Sequence, residues 1–189
     1  RPHQFVTFGL LNRHLNREQM KNISFRNDVL PLKNVLYRLA LRITLNKEEA
    51  EDIVQDTLMK VWNRRDSLQN VDSIEAFSLT ICRNLSLDRM KRAGNDSQPI
   101  GDEEIGSADT ASDPYERMIQ KDRVELVKRI VDSLPEKQRS CMQLRDFEGK
   151  SYKEIATVLG LSEEQVKVNI FRARQAVKQK YKEYEGYGL

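Results

Sequence analysis

SYKEIATVLGLSEEQVKVNIFRARQAVKQK, residues 151–180, decides the fold. It contains two helix starts of one kind. Ser151 stands three residues before Glu154, and Ser162 three before Gln165. Each pair can bond reciprocally to the orphan N–H groups of a first helical turn. Gly160 supplies the positive φ that a turn between two helices needs. Ala156 is small enough for the helices to cross closely, and Val166 can lock the second onto the first. Ile155, Leu159, Leu161, Ile170, Ala173 and Val177 complete a core. The spacing predicts a short helix over 152–159 and a long one to about 184: a helix-turn-helix. Another face of the long helix carries Glu163, Lys167, Phe171 and Arg174, with Val168 beside them. Arg172, Lys178 and Lys180 add charge for phosphates. A basic second helix favours DNA. The plainer alternative is a helical hairpin with a solvated charged face.

The pattern extends outward from this motif. One helix is expected over 115–133. Pro135 suits the first position of the next, about 135–147, which Gly149 ends. Upstream, Val29, Leu32, Val35, Leu36, Leu39 and Ile43 recur at three- and four-residue steps within 28–45, where Asn46 is read as the stop. Lys47–Arg65 follows, with Ala50, Ile53, Val54, Leu58, Val61 and Trp62 on one side. Its early acids, Glu48, Glu49, Glu51 and Asp52, suit a helix N-terminus. After a polar turn, Asp66–Asp72, a third helix spans about 73–92 with Ile74, Phe77, Ile81 and Leu85 inward. No strand alternation occurs. The predicted fold is all-α: two small helical domains joined by a flexible linker, the C-terminal one a helix-turn-helix.

Charge divides the chain the same way. Of 189 residues, 32 are Lys or Arg and 29 Asp or Glu, a net charge of +3. Residues 1–93 carry a net +5, 94–114 a net −6 without a single base, and 115–189 a net +4. Two basic blocks around an acidic stretch suggest two modules that face polyanions. Residues 94–114 are rich in Gly, Ser, Asp and Pro and almost devoid of large apolar side chains. Such a composition cannot bury enough surface to offset its ordering entropy. It predicts a flexible linker with a reach of roughly 70 Å extended and about 25 Å as a coil. The expected divisions are 1–27, 28–93, 94–114 and 115–185.

Other signals are sparse. Cys82 and Cys141 have no metal-type spacing and sit in apolar patterns, as buried thiols in a reducing cytoplasm would. No apolar run approaches the ~20 residues needed to cross a bilayer, and no signal peptide is visible. The chain starts at Arg1. Met20 could be an initiator, or Phe5, Val6, Phe8, Leu10 and Leu11 could form a short amphipathic helix; the residues leave both open. His3 and His14 look incidental. No Gly-rich phosphate loop, metal cluster or set of convergent acids is present, so no catalytic residue, cofactor or metal is expected.

At family level, SLPEKQRSCMQLRDFEGKSYKEIATVLGLSEEQVKVNIFRARQAVK (133–178) resembles the promoter-reading fourth region of bacterial RNA polymerase sigma factors. AEDIVQDTLMKVW (50–62) resembles the helix with which that family grips the polymerase clamp. EAFSLTICRNLSLDRMKR (75–92) resembles the helix that reads the minus-ten element. Two such modules with an unstructured joint resemble the extracytoplasmic-function (ECF) group, over about 28–184.

The resemblance implies roles. Asp52, Gln55 and Asp56 match polymerase-binding positions; acids and an amide suit a basic coiled-coil partner. Asn84 matches the reader of an unpaired minus-ten base, whose amide can pair with an edge that a duplex hides. The turn containing Leu68, Gln69 and Asn70 matches the loop that forms the base pocket. Arg83, Arg89, Lys91 and Arg92 are candidate backbone contacts. Lys167, Val168 and Phe171 match minus-thirty-five positions, with Arg172 and Arg174 alongside. Lys can read guanine N7 and O6, and Phe can touch a thymine methyl. The chain departs from the family pattern at Phe77-Ser78, Thr80, Leu68, Val168 and Asn169, so the family's promoter preference does not transfer.

The implied partners are core RNA polymerase and promoter DNA, with an anti-sigma factor common in the group. No small-molecule substrate and no membrane insertion are expected, and the place of action is the cytoplasm. The implied mechanism couples single-strand capture by the first module to duplex reading by the second, about two helical turns or ~70 Å apart. Binding energy opens the DNA, without a nucleotide site. The rivals are a helix-turn-helix regulator acting without sigma activity, a non-DNA interaction protein whose basic helix docks an acidic partner, and, remotely, a nuclease.

Overall fold

The apolar spacing of the N-terminal half folds into three packed helices in a computed structural model, which describes residues 23–93 and 114–186. The expectations for residues 1–22 and for the acidic linker lie outside the described residues. A π-helical turn Phe25–Val29 and a 3-10 turn Leu30–Leu32 lead into α1, Lys33–Thr44. Val35, Leu36, Leu39, Ala40 and Ile43 form its buried face. Asn46, expected to stop this helix, instead starts the next: its side chain accepts from the Glu49 N–H at 3.1 Å. Leu45 makes the turn in the left-handed region, φ 56°, its N–H bonded to the Leu41 carbonyl. An L-residue there costs about 1–2 kcal/mol, which the packing of the flanking helices must offset.

Helix α2, Lys47–Asn63, buries Ala50, Ile53, Val54, Thr57, Leu58 and Val61. Trp62 is only half-buried: Phe25 meets it edge-on at 5.4 Å and Arg65 stacks on it at 4.5 Å. A 3-10 turn Arg65–Asn70 precedes α3, Ile74–Ala93. Here the expected inward set shifts. Ile74, Phe77, Ile81 and Leu85 are half-buried, whereas Ser78, Leu79, Cys82 and Ser86 are buried. Helix α3 packs on α1 and α2 and also on a helix of the second module. A helix covered on several sides has no single apolar stripe, and small buried residues allow close approach. The Ser78 and Ser86 hydroxyls donate to the carbonyls of Ile74 and Cys82, so neither is orphaned.

The second module is α4 (Pro114–Asp132), α5 (Glu136–Met142), a π-helical turn Gln143–Phe147, α6 (Tyr152–Leu159) and α7 (Glu163–Gly186). Pro135 is the cap residue itself rather than the first helical residue, and α5 loosens into the π turn before Gly149 reverses the chain at φ +67°. Both capping pairs form as the sequence predicts. Ser151 and Glu154 bond reciprocally, as do Ser162 and Gln165. Gly160 turns at φ +61°. Every described element is helical, so the architecture is all-α.

The two modules dock. Helix α1 packs on α5 and the π turn, and α3 packs on α6. Glu75, Ala76 and Leu79 of α3 line a shallow cleft with Leu144, Ile155 and Val158. The two helical domains thus close on each other, while the stretch between them, 94–113, lies outside the described residues.

Candidate nucleic-acid interface

The helix-turn-helix is rigid where it must be. Ile155, Val166 and Ala173 are wholly buried, Leu159 and Ile170 nearly so, and Ala156 sits half-buried at the crossing. The capping box also acts electrostatically: the Ser151 hydroxyl and N–H hold the Glu154 carboxyl below its usual range. That charge lies at the positive end of α6.

Helix α7 then offers a stripe to solvent. Phe171 is 63% exposed and Val168 45%. Lys167 and Arg172 are exposed too. The Lys167 ammonium stands 5.6 Å above the Tyr152 ring, and Arg145 stands 4.6 Å from the same ring. Arg174 is exposed, yet its guanidinium bonds both carboxylate oxygens of Asp146, a pairing that raises its pKa. It therefore reaches a phosphate only by exchanging that carboxylate. Asn169 turns along the helix, donating to the Gln165 carbonyl at 2.8 Å, and leaves the stripe to its neighbours.

The first module treats its predicted residues unevenly. Asn84 is exposed on α3, as are Lys91 and Arg92. Arg89 pairs with Glu49 at 2.8 Å and Asp56 at 3.6 Å, both on α2. It holds α3 to α2 rather than standing free. Arg83 is turned inward: its Nε is buried and lacks a hydrogen-bond partner. It lies close enough to Cys141 of α5 to favour that thiolate, although burial dominates and pushes the thiol up to about 12. Leu68, expected on the pocket loop, fills the core at 3% exposure. An apolar residue in a polar turn is drawn inward by its own transfer free energy. Gln69 and Asn70 end the 3-10 turn; their side chains lie outside those described.

On α2, Asp52 and Gln55 are exposed on one flank, while Asp56 is half-buried and shared with Arg89. Sequence reasoning missed Met59, which is 63% exposed four residues beyond Gln55 on that flank. The available signal was that Met59 falls outside the stripe Ile53, Val54, Thr57, Leu58 and Val61. Exposed methionine suits adaptable protein contacts. No helix among the described residues is long and apolar enough to cross a membrane.

Comparison with known proteins places both modules. The Sigma-70 region 2 family matches residues 29–95, and the Sigma-70 region 4 family residues 125–177. The chain is 34% identical over 147 residues to the ECF RNA polymerase sigma factor SigE of Mycolicibacterium smegmatis, covering 76% of this chain and 56% of that protein. It is 30% identical over 145 residues to the ECF RNA polymerase sigma factor SigL of Mycobacterium tuberculosis, covering 76% of this chain and 81% of SigL. Its fold superposes with a TM-score of 0.68 and 27% identity on the sigma factor RpoE of Bartonella quintana, solved in complex with the anti-sigma factor NepR. That match covers 82% of this chain and 94% of RpoE. The chain spans only about half the length of SigE, but the two family regions follow the order of the two folded modules and SigL is matched over 81% of its length, which leads to one conclusion: the chain belongs to the ECF family of RNA polymerase sigma factors.

Proposed function

We propose that this chain directs core RNA polymerase to specific promoters and promotes DNA melting at the start of transcription. The observation that carries the reading is the coexistence of two unlike exposed faces: the acid–amide flank Asp52 and Gln55 on α2, and the basic–aromatic stripe Lys167, Val168 and Phe171 on α7.

In this reading residues 28–93 bind polymerase through Asp52, Gln55 and Asp56, with Met59 adding apolar contact. Asn84 captures an unpaired minus-ten base; Leu68 supports the adjoining turn from the core, Gln69 and Asn70 contribute at its rim, and Arg89 fixes α3 against α2 beneath it. Residues 115–185 read the minus-thirty-five duplex through Lys167, Val168 and Phe171, with Arg172 and Arg174 on phosphates. Residues 94–114 act as a flexible linker between the modules. The chain catalyses nothing, needs no cofactor or metal, takes no small-molecule substrate and acts in the cytoplasm without inserting in a membrane. Its partners are core polymerase, promoter DNA and an anti-sigma factor, the last supported by the NepR complex of its relative.

Run-off transcription tests this directly. Core polymerase plus the chain should yield discrete transcripts from a promoter library, and core polymerase alone none. Duplex binding without initiation would instead identify a helix-turn-helix regulator.

A further inference from the structure

One aromatic ring supports the exposed stripe of α7 from outside that helix. Tyr152 opens α6, directly after the capping residue Ser151, and lies half-buried against the core. Its ring is shared by two cations. The Arg145 guanidinium stands 4.6 Å from the ring centre, and its Nη1 donates to the Lys150 carbonyl at 2.7 Å. The ring is thereby fixed by a cation that is itself tied to the backbone. The Lys167 ammonium, on α7, stands 5.6 Å from the same centre, inside the reach of a cation–π attraction, about 6 Å. Helix spacing offers Lys167 another partner. Glu163 lies four residues before it, in the order that favours a Glu–Lys pair. Among the described residues the two form no ion pair, and the ammonium sits on the ring instead. Asp146, the acid next to Arg145, is taken by Arg174.

We propose that Tyr152 is a positioning residue for base reading: its ring holds the Lys167 ammonium at the edge of the α7 stripe, so that Lys167 addresses a guanine rather than the nearest phosphate. The proposal rests on the reading of α7 as the duplex-reading helix. Lys167 is the one long, flexible member of the stripe it forms with Val168 and Phe171. A lysine is a point charge on a mobile stem. Left free, its ammonium is drawn to phosphates, which line every duplex and carry no sequence information. Guanine N7 and O6 present acceptors at one place in the major groove. Reaching them from a mobile stem costs that stem its rotamer freedom. The Tyr152 ring confines the stem before DNA arrives, so less freedom is lost on binding. It also does so without neutralising the charge, because a ring face attracts the ammonium through its quadrupole. A pair with Glu163 would confine the stem equally but would place a carboxylate beside the groove acceptors.

Sequence discrimination tests the role. Core polymerase with the full chain selects from a random duplex library, and the selection is repeated with Lys167→Ala. The base pair whose preference vanishes in that variant is the one Lys167 reads. Competitive titration with duplexes that differ at this pair then measures discrimination. Tyr152→Phe keeps the ring and should match the parent. Tyr152→Leu should lower discrimination about two- to fivefold, with affinity for duplexes lacking the guanine unchanged. If the leucine variant loses helicity, pentafluorophenylalanine at position 152 decides. It keeps the shape of the ring, reverses the charge of its face, and should lower discrimination as leucine does. Unchanged discrimination in these variants, or a loss of affinity uniform over all sequences, overturns the proposal. A parent without any sequence preference, or one whose preferences survive Lys167→Ala, overturns the reading of α7 itself and the proposal with it, so the two failures are told apart.

Discussion

Helix α7 lays Lys167, Val168 and Phe171 open to solvent from end to end of its stripe. Helix α3 lies between α1 and α2 on one side and α6 on the other, with Asn84 exposed but Arg83 turned inside. Both helices belong to sigma regions, yet one face is presented and the other is half enclosed. The contrast follows from what each would bind. Duplex is always available, so a preformed, rigid stripe reads it without rearrangement. Unpaired bases exist only after melting, so a helix that captures them tolerates partial enclosure as long as Asn84 itself stays exposed.

The largest expected effect strikes the wall shared by the two helices. Ile155 is wholly buried in α6 between α3 and α7. Ile155→Ala should cost about 2–5 kcal/mol, lowering the thermal midpoint of unfolding; an unchanged midpoint would mean the modules do not share this wall. Next, Lys167→Glu should weaken duplex binding at the upstream element by about 1–3 kcal/mol, or roughly 10–100-fold, in a mobility-shift titration. Capture of a single-stranded minus-ten oligonucleotide by the polymerase complex should be unchanged, and a loss there would erase the division of labour between the helices. Gly160→Ala should destabilise by about 1–2 kcal/mol. The added methyl meets nothing within 4 Å, so the left-handed φ alone sets the cost, readable by denaturant titration. Asn84→Ala should cost about 1 kcal/mol of single-strand capture and leave duplex binding alone.

The smallest effect is pH dependence of the closed state. Burial alone would raise the Glu148 carboxyl, but hydrogen bonds from Arg38 and Gln143 outweigh it and hold it below its usual value. A depressed carboxylate contributes fully above its unfolded pKa and loses that contribution as pH falls through the folded value. The contact between the modules, read as fluorescence transfer between dyes on α2 and α7, should therefore be flat near neutrality and decline below the ordinary carboxylate range. A rise on acidification would contradict the Arg38–Glu148 pairing.

How far the sequence was legible follows the range of the interactions. The second module could be read because its signals are local: Ser151 with Glu154, Gly160, and Ser162 with Gln165 each act within a few residues. Asn46 misled as a stop because a cap for the next helix sits where the previous one ends, and nothing in the sequence announces that Leu45 takes the left-handed turn. On α3, burial on several sides erased the periodicity from which an inward face is inferred, so the expected inward set lacked Ser78, Leu79 and Ser86. Leu68 followed its polarity rather than the family role. The contact between the modules was invisible: Arg38 and Glu148 stand 110 residues apart, and Arg139 reads as one more surface base until its carbonyl partners Arg42 and Ile43 on α1 are seen. Of the candidate contacts, Lys167, Val168, Phe171, Asp52, Gln55 and Asn84 stand exposed. Arg89 and Arg174 prove tied by carboxylates that only the tertiary fold supplies.

The most direct measurement is a footprint of core polymerase plus this chain on one promoter, combining backbone cleavage at the upstream element with permanganate reactivity at the minus-ten. The account predicts both signals together, and for Lys167→Glu loss of upstream protection while permanganate reactivity survives on a pre-melted template. Upstream protection without any opened thymines, under conditions where a known sigma factor opens its own promoter, would contradict it.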